Sequence, residues 1–165
     1  MGGNASTSSM LEAAHRFGRL AAEAGWVVLT GGRPAGVMEA ASVGAKSVPG
    51  SLTVGILPSG PDGPVGAAVD IAVFTGVGEA RNVINVLSSD VVVACGVEGA
   101  GTASEVALAL KLARPTVLLA PSPEAAAFFR SIETQGPLHE VETPEAAVEL
   151  IEHRLGIVRW SISKT

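Results

Sequence analysis

The residues best equipped for chemistry lie in one stretch, Cys95-Gly96-Val97-Glu98-Gly99-Ala100-Gly101-Thr102-Ala103-Ser104-Glu105. Three glycines fall within the six residues from Gly96 to Gly101, so the backbone can turn sharply and come close to a ligand. If a helix starts behind them, its free N–H groups and its dipole favour an anion such as phosphate. Gly99, Ala100, Gly101 and Thr102 would then line the anion, with the Thr102 hydroxyl as a further donor. The same letters also have a purely structural reading. Thr102-Ala103-Ser104-Glu105 is a capping box, in which Thr102 caps the helix and Glu105 reaches back to its backbone N–H. A lone glycine motif does not decide between the two.

Other stretches carry residues of the same kind. Gly31-Gly32-Arg33-Pro34-Ala35-Gly36 is a second glycine loop, in which Arg33 could close over a ligand or point to solvent. A third loop, Gly2 to Ser9, opens with Gly2 and Gly3. Thr75-Gly76-Val77-Gly78 leads to Arg81, whose planar fork of donors suits a phosphate or an oxyanion. A surface arginine or an ion pair is the plainer reading of Arg81. His15, His139 and His153 are scattered without metal-ligand spacing. Cys95 reads first as a buried small hydrophobe and second as a thiol facing a ligand. No Ser-His-Asp set can be assembled. Lys46 and Lys111, the lysines outside the tail, lie in no motif, so Schiff-base chemistry has no support.

These loops need elements to hold them. Asp90–Ala94 is a continuous apolar, β-branched run and reads as a buried strand, and Thr102–Leu112 as the helix after the loop. Met10–Ala24 repeats apolar residues at helical spacing and stops at Gly25. Strands are expected at Trp26–Thr30, Leu52–Leu57, Ile71–Phe74, Thr116–Leu119 and Leu138–Val141. Further helices are expected at about Val37–Ala45, at Glu79–Ser88, after Ser122-Pro123-Glu124, and from Thr143-Pro144-Glu145 to about Leu155. The tail Ile157–Thr165 has no assignable structure. Strand and helix alternate throughout, which predicts an α/β fold: a single Rossmann-like, doubly wound parallel sheet with helices on both faces. Ligands of such sheets bind at the carboxyl ends of the strands, where the glycine loops fall.

Composition narrows the classes. The chain has 165 residues, 47% of them hydrophobic, with 20 glycines and only 4% aromatic residues, which suits one α/β domain over residues 1–165. A net charge of -5 without any basic run argues against nucleic acid. No apolar run reaches the length of a membrane span, and the start lacks the apolar core of a signal peptide. One cysteine excludes an internal disulfide and a cysteine-cluster metal site. A cytoplasmic location is expected.

Three of these stretches together carry a resemblance. Gly31-Gly32-Arg33-Pro34-Ala35-Gly36-Val37-Met38, Thr75-Gly76-Val77-Gly78-Glu79-Ala80-Arg81-Asn82 and Gly99-Ala100-Gly101-Thr102-Ala103-Ser104-Glu105 resemble the LOG-like Rossmann superfamily, formerly labelled lysine decarboxylases. The likeness runs from Gly2 to about Arg130 and is nearest to the molybdenum cofactor carrier branch. The LOG enzymes are phosphoribohydrolases with a Pro-Gly-Gly-x-Gly-Thr-x-x-Glu motif and an upstream Arg-Lys pair. Here Val97-Glu98 stands where that motif begins with Pro-Gly, and Asn82 stands where the pair has its lysine. Arg81 and Glu105 match the two residues that would be catalytic in a hydrolase. Glu98 adds negative charge near the proposed anion site. The superfamily also begins with an apolar strand, whereas Met1-Gly2-Gly3 opens directly on the loop, so that strand is expected to be missing before Met1.

The resemblance implies a protein that binds molybdenum cofactor, or a similar phosphorylated pterin, as cargo. Carriage or storage without turnover is the first reading. A nucleoside 5'-monophosphate phosphoribohydrolase is the second, and a nucleotide-sensing domain the third. The ligand contacts implied are Gly2, Gly3, Gly31, Gly32, Arg33, Thr75, Gly76, Arg81, Gly99, Ala100, Gly101, Thr102 and Glu105. No metal site in the protein itself is expected. The partners implied are a small phosphorylated ligand, further copies of the chain (a tetramer, or else a dimer) and molybdoenzymes.

Overall fold

The computed structural model describes residues 7–132 and 136–154. Helix α1, Ser8–Glu23, starts where the Thr7 hydroxyl accepts from the N–H of Met10 at 3.4 Å. Its end delays the first strand: the Trp26 N–H still bonds back to the Ala21 carbonyl at 3.0 Å, so β1 is only Val28–Thr30. Helix α2 runs from Gly36 to Lys46. It lies close against α1, because a Cβ on Gly18 would collide with the Ala41 backbone and a Cβ on Gly44 with the His15 backbone. Gly44 is thus a contact point inside the helix.

Two strands follow, β2 at Thr53–Leu57 and β3 at Ile71–Phe74, both parallel to β1. Asp70 locks the start of this ladder. Its carboxylate accepts from the Thr53 N–H at 2.8 Å and pairs with Lys46 at 2.9 Å. The Lys46 ammonium, with the Thr53 N–H, holds that carboxyl below its ordinary value.

A short 3-10 turn, Gly78–Ala80, opens helix α3, Arg81–Leu87. Strand β4, Val92–Cys95, leads to helix α4, Ala100–Lys111. Strand β5 is Thr116–Leu119, and Ser122 caps helix α5, Pro123–Ser131. Strand β6, Leu138–Val141, and helix α6, Pro144–Arg154, complete the described chain. The Thr143 hydroxyl accepts from the Ala146 N–H at 3.2 Å at the start of α6.

The fold is the expected α/β architecture, with every strand pair parallel and helices on both faces. The hydrogen-bonded ladder comes in two halves, β1-β2-β3 and β4-β5-β6. Among the described residues no ladder joins β1 to β4, yet Val28, Thr30, Val92, Ala94 and Cys95 are buried. On one face α1 lies across both halves, with Phe17 packed against the cluster around Val28 and against the one that contains Val93, and on the other face α3 and α4 cover Val92 and Ala94. Helices α1, α2 and α6 cover one face of the strands. Helices α3, α4 and α5 cover the other, where Ala94, Val106, Leu110, Leu118 and Phe129 form the core. No described helix is long and apolar enough to cross a membrane.

Candidate functional site

Two chain reversals meet where the halves abut. Arg81, the first residue of α3, is 4% exposed. Its guanidinium fills the space that a Cβ on Gly31 would need, just beyond β1. Its Nη1 also lies 3.5 Å from Glu105 Oε1, on the helix that follows β4. Arg81 therefore ties the carboxyl ends of β1 and β4 together at the switch point, the place where open α/β sheets bind ligands. Helical spacing puts Asn85, four residues on, on the same face as Arg81, and Asn82 is buried beside it. Asn85 Nδ2 donates to Glu105 Oε1 at 3.4 Å, and Asn82 Nδ2 donates to Ser104 Oγ at 3.3 Å. Ser104 in turn donates to the Gly101 carbonyl at 2.7 Å.

The cluster is buried and incompletely bonded. Burial pushes the Glu105 carboxyl above its ordinary range, and the nearby Arg81 charge only partly counters it. Burial likewise lowers the Arg81 guanidinium, against the pull of Glu105. Arg81 Nε and Nη1, Asn82 Oδ1, Asn85 Oδ1 and Thr102 Oγ1 are buried without a hydrogen-bond partner. Buried polar atoms normally have partners, because each orphan costs roughly 1–3 kcal/mol. Five in one cluster, both donors and acceptors, mark a place that a polar ligand or water would satisfy.

The capping-box reading of Thr102 and Glu105 is overturned. Helix α4 begins at Ala100, with extended Gly99 as its cap residue and no side-chain cap bond. The cap residue thus comes three positions earlier than Thr102-Ala103-Ser104-Glu105 suggests. Thr102 and Glu105 fall on its inner face, 2% and 6% exposed, and Glu105 turns to Arg81. The first intrahelical bond runs from the Ala103 N–H to the Gly99 carbonyl at 3.0 Å. The N–H groups of Ala100, Gly101 and Thr102 precede it, at the positive end of the helix dipole.

The glycines serve two ends. Gly31 makes room for Arg81, and Gly32 packs against Gly55 of β2, so both are used for close packing. Gly76 and Gly101 face open space, where a Cβ would meet nothing within 4 Å. The Thr75 hydroxyl is engaged with the Leu57 carbonyl at 2.7 Å. Arg33 pairs with Glu79 at 2.8 Å and so clasps the loop after β1 to the turn after β3. Ala100 and Glu98 are exposed. Gly2 and Gly3 lie outside the described residues. Arg81, Thr102 and Glu105 thus come together with Gly31, whereas Thr75 and Arg33 are held by protein partners. Asn85 was missed from sequence. Its signal was its place four residues after Arg81 on one helix face.

Elsewhere, Cys95 is buried, and burial raises its thiol. His139 and His153 line a cleft of about 310 Å3 between β6 and α6, away from the glycine loops, with Glu140 and Glu149. Among the described residues no group of His, Cys, Asp and Glu is placed to hold a metal ion.

The chain is similar to known proteins over most of its length. The model of the SLOG cluster4 family matches residues 1–148. The chain belongs to the SLOG cluster4 family. A solved structure described as the molybdenum cofactor binding protein of Rippkaea orientalis is 48% identical to this SLOG chain, with a TM-score of 0.88 over 94% of each chain. The molybdenum cofactor carrier protein of Chlamydomonas reinhardtii is 44% identical, with a TM-score of 0.86, over 95% of this chain and 96% of that one. An uncharacterised protein of Archaeoglobus fulgidus is 43% identical over 135 residues, 82% of this chain and 80% of its own. The motif resemblance to the LOG-like superfamily and its carrier branch therefore holds across nearly the whole chain.

Proposed function

We propose that this protein binds molybdenum cofactor, or a closely similar phosphorylated pterin, as cargo and carries it without turnover. The observation that supports this most is the likeness to two such binding and carrier proteins over 94–96% of the chains compared. The site suits that cargo. A terminal phosphate is matched by the first-turn N–H groups of α4 beside open Gly101. The polar edge of a pterin needs donors and acceptors together, which the unpartnered atoms of Arg81, Asn82, Asn85 and Thr102 offer. The protein works as a homo-oligomer, a tetramer by the carrier resemblance. It acts in the cytoplasm and delivers its cargo to molybdoenzymes.

A second reading rests on the buried Arg81–Glu105 pair. A carboxyl held above its ordinary range beside a guanidinium is what a phosphoribohydrolase would use as base and charge stabiliser. A sensing domain without turnover is the third reading. Two assays separate them. One reconstitutes a cofactor-free molybdoenzyme from cofactor retained by the purified protein. The other follows base release from AMP or a cytokinin monophosphate by chromatography. Retention that Arg81→Ala weakens, with no base release, is the expected result. Steady release that Glu105→Ala abolishes would overturn carriage in favour of hydrolysis, and neither activity would leave sensing.

A further inference from the structure

An ion pair lies at the strand ends beside the candidate site, and neither loop that carries it needs it for its shape. Arg33 follows β1 and Glu79 follows β3, with β2 between those strands in the ladder, so their 2.8 Å contact spans the carboxyl end of β2. Each loop is held by its own backbone. The Gly66 N–H donates to the Gly32 carbonyl at 2.8 Å, and the Ala35 N–H to the Arg33 carbonyl at 2.9 Å. On the other side the Gly76 N–H donates to the Ser59 carbonyl at 3.3 Å, and the Gly78 N–H to the Pro58 carbonyl at 3.0 Å. The Arg33 and Glu79 side chains are 35% and 67% exposed, and a pair so open to solvent adds little to stability. It can therefore open while both loops stay in place.

Its charges also belong to the site. After burial and Glu105, the groups that act on the Arg81 guanidinium are Glu79 and Arg33. Formally the two arginines and the two glutamates cancel. A phosphate dianion meets a positive surplus here only when one carboxylate moves out. Glu105 is 6% exposed, with Arg81 and Asn85 against it, so it stays. Glu79 stands in solvent and is free to turn away. A phosphate brings more charge and more acceptor oxygens to the guanidinium fork than a carboxylate does.

We infer that Glu79 is a built-in competitor of the cargo: it occupies Arg33, and the phosphate of the cargo takes its place there. Binding then requires the opening of one weak pair, and Glu79 is at hand to take Arg33 back on release. Glu79 thereby limits affinity for phosphorylated ligands and leaves unphosphorylated ones alone. The inference rests on the reading of the cargo as a phosphorylated pterin.

The test is a titration of the full chain with 6-hydroxymethylpterin phosphate and with the same pterin lacking phosphate, followed by pterin fluorescence. At about pH 8 a phosphate ester is a dianion, since its second pKa is about 6. Glu79→Gln is expected to tighten the phosphorylated pterin about fivefold and Arg33→Ala to weaken it about as much, the size of one exposed ion pair. In the Arg33→Ala background the gain from Glu79→Gln should shrink to less than about twofold, and the unphosphorylated pterin should respond to neither change. Weaker binding by Glu79→Gln would make the pair a clasp that shapes the site, and would overturn the inference. An unchanged affinity, or an equal gain with and without Arg33, overturns it too. A wild type that binds neither pterin counts against the cargo reading, which cofactor retention scores separately. The same four proteins titrated calorimetrically with inorganic phosphate then decide: the same order of affinities upholds the exchange at Arg33, and any other result overturns it.

Discussion

At the residue scale, Glu105 matters most, because its role changed once the fold was in view. As a capping residue it would be worth about 1 kcal/mol. As the partner of a buried arginine it is worth more, since its removal strands a buried charge. Glu105→Ala is therefore expected to lower unfolding stability by about 3 kcal/mol, measured by denaturant titration. A loss near 1 kcal/mol would return Glu105 to a marginal role. The pH dependence follows from its shifted carboxyl. Folding raises it above the ordinary 4.5, so the native state holds the proton more tightly than the unfolded chain. Its contribution is fully present below 4.5 and is lost as pH rises through the folded value. The wild type should thus lose stability relative to Glu105→Gln as pH rises from 4.5. Parallel curves for the two proteins would contradict this. Gly31→Ala tests the same cluster from the other side. Its methyl group takes the space of the Arg81 guanidinium, so it should weaken cofactor retention about as much as Arg81→Ala while the helices remain formed.

At the scale of elements, the α1–α2 contact makes the sharpest prediction. Both helices approach through glycine, Gly18 toward Ala41 and Gly44 toward His15. In each case the obstacle to a Cβ is backbone, which cannot rotate away. Gly18→Ala should cost 1–3 kcal/mol or more despite its better helix propensity, the range for overpacking a tight contact. A stabilised variant, seen as a raised denaturation midpoint, would mean that the helices have room to separate. Helix α4 shows how far sequence reached. From Val106 to Leu112 its sequence is apolar nearly all round, which does not tell an inner face from an outer one. The structure divides it, with Val106, Ala109 and Leu110 buried and Ala107 and Lys111 outside. Strand Ile71–Phe74 was legible to the residue, although it lies at the end of its ladder with Ile71, Val73 and Phe74 exposed. Its β-branched residues and flanking turns are local signals, and those survive exposure.

At the scale of the whole molecule, two half-ladders meet at a seam, with β1 and β4 buried on either side of it. The sequence by itself determined the alternation of strand and helix, the parallel class and the placing of glycine loops at strand ends. These are local matters of period, propensity and turn chemistry, and each is carried by neighbouring residues. Three spaced motifs also sufficed to point to the family, because spacing is preserved in the letters. Only the tertiary structure decided which glycines are filled and which are open. Gly31 and Gly101 look alike in sequence, but one faces a guanidinium and the other open space. It alone turned Glu105 from a cap into the buried partner of an arginine 24 positions away, joined Asn85 to them, and split the sheet at the seam. Those are contacts between elements distant along the chain. No window of sequence contains both sides of such a contact, so the fold has to bring them together first.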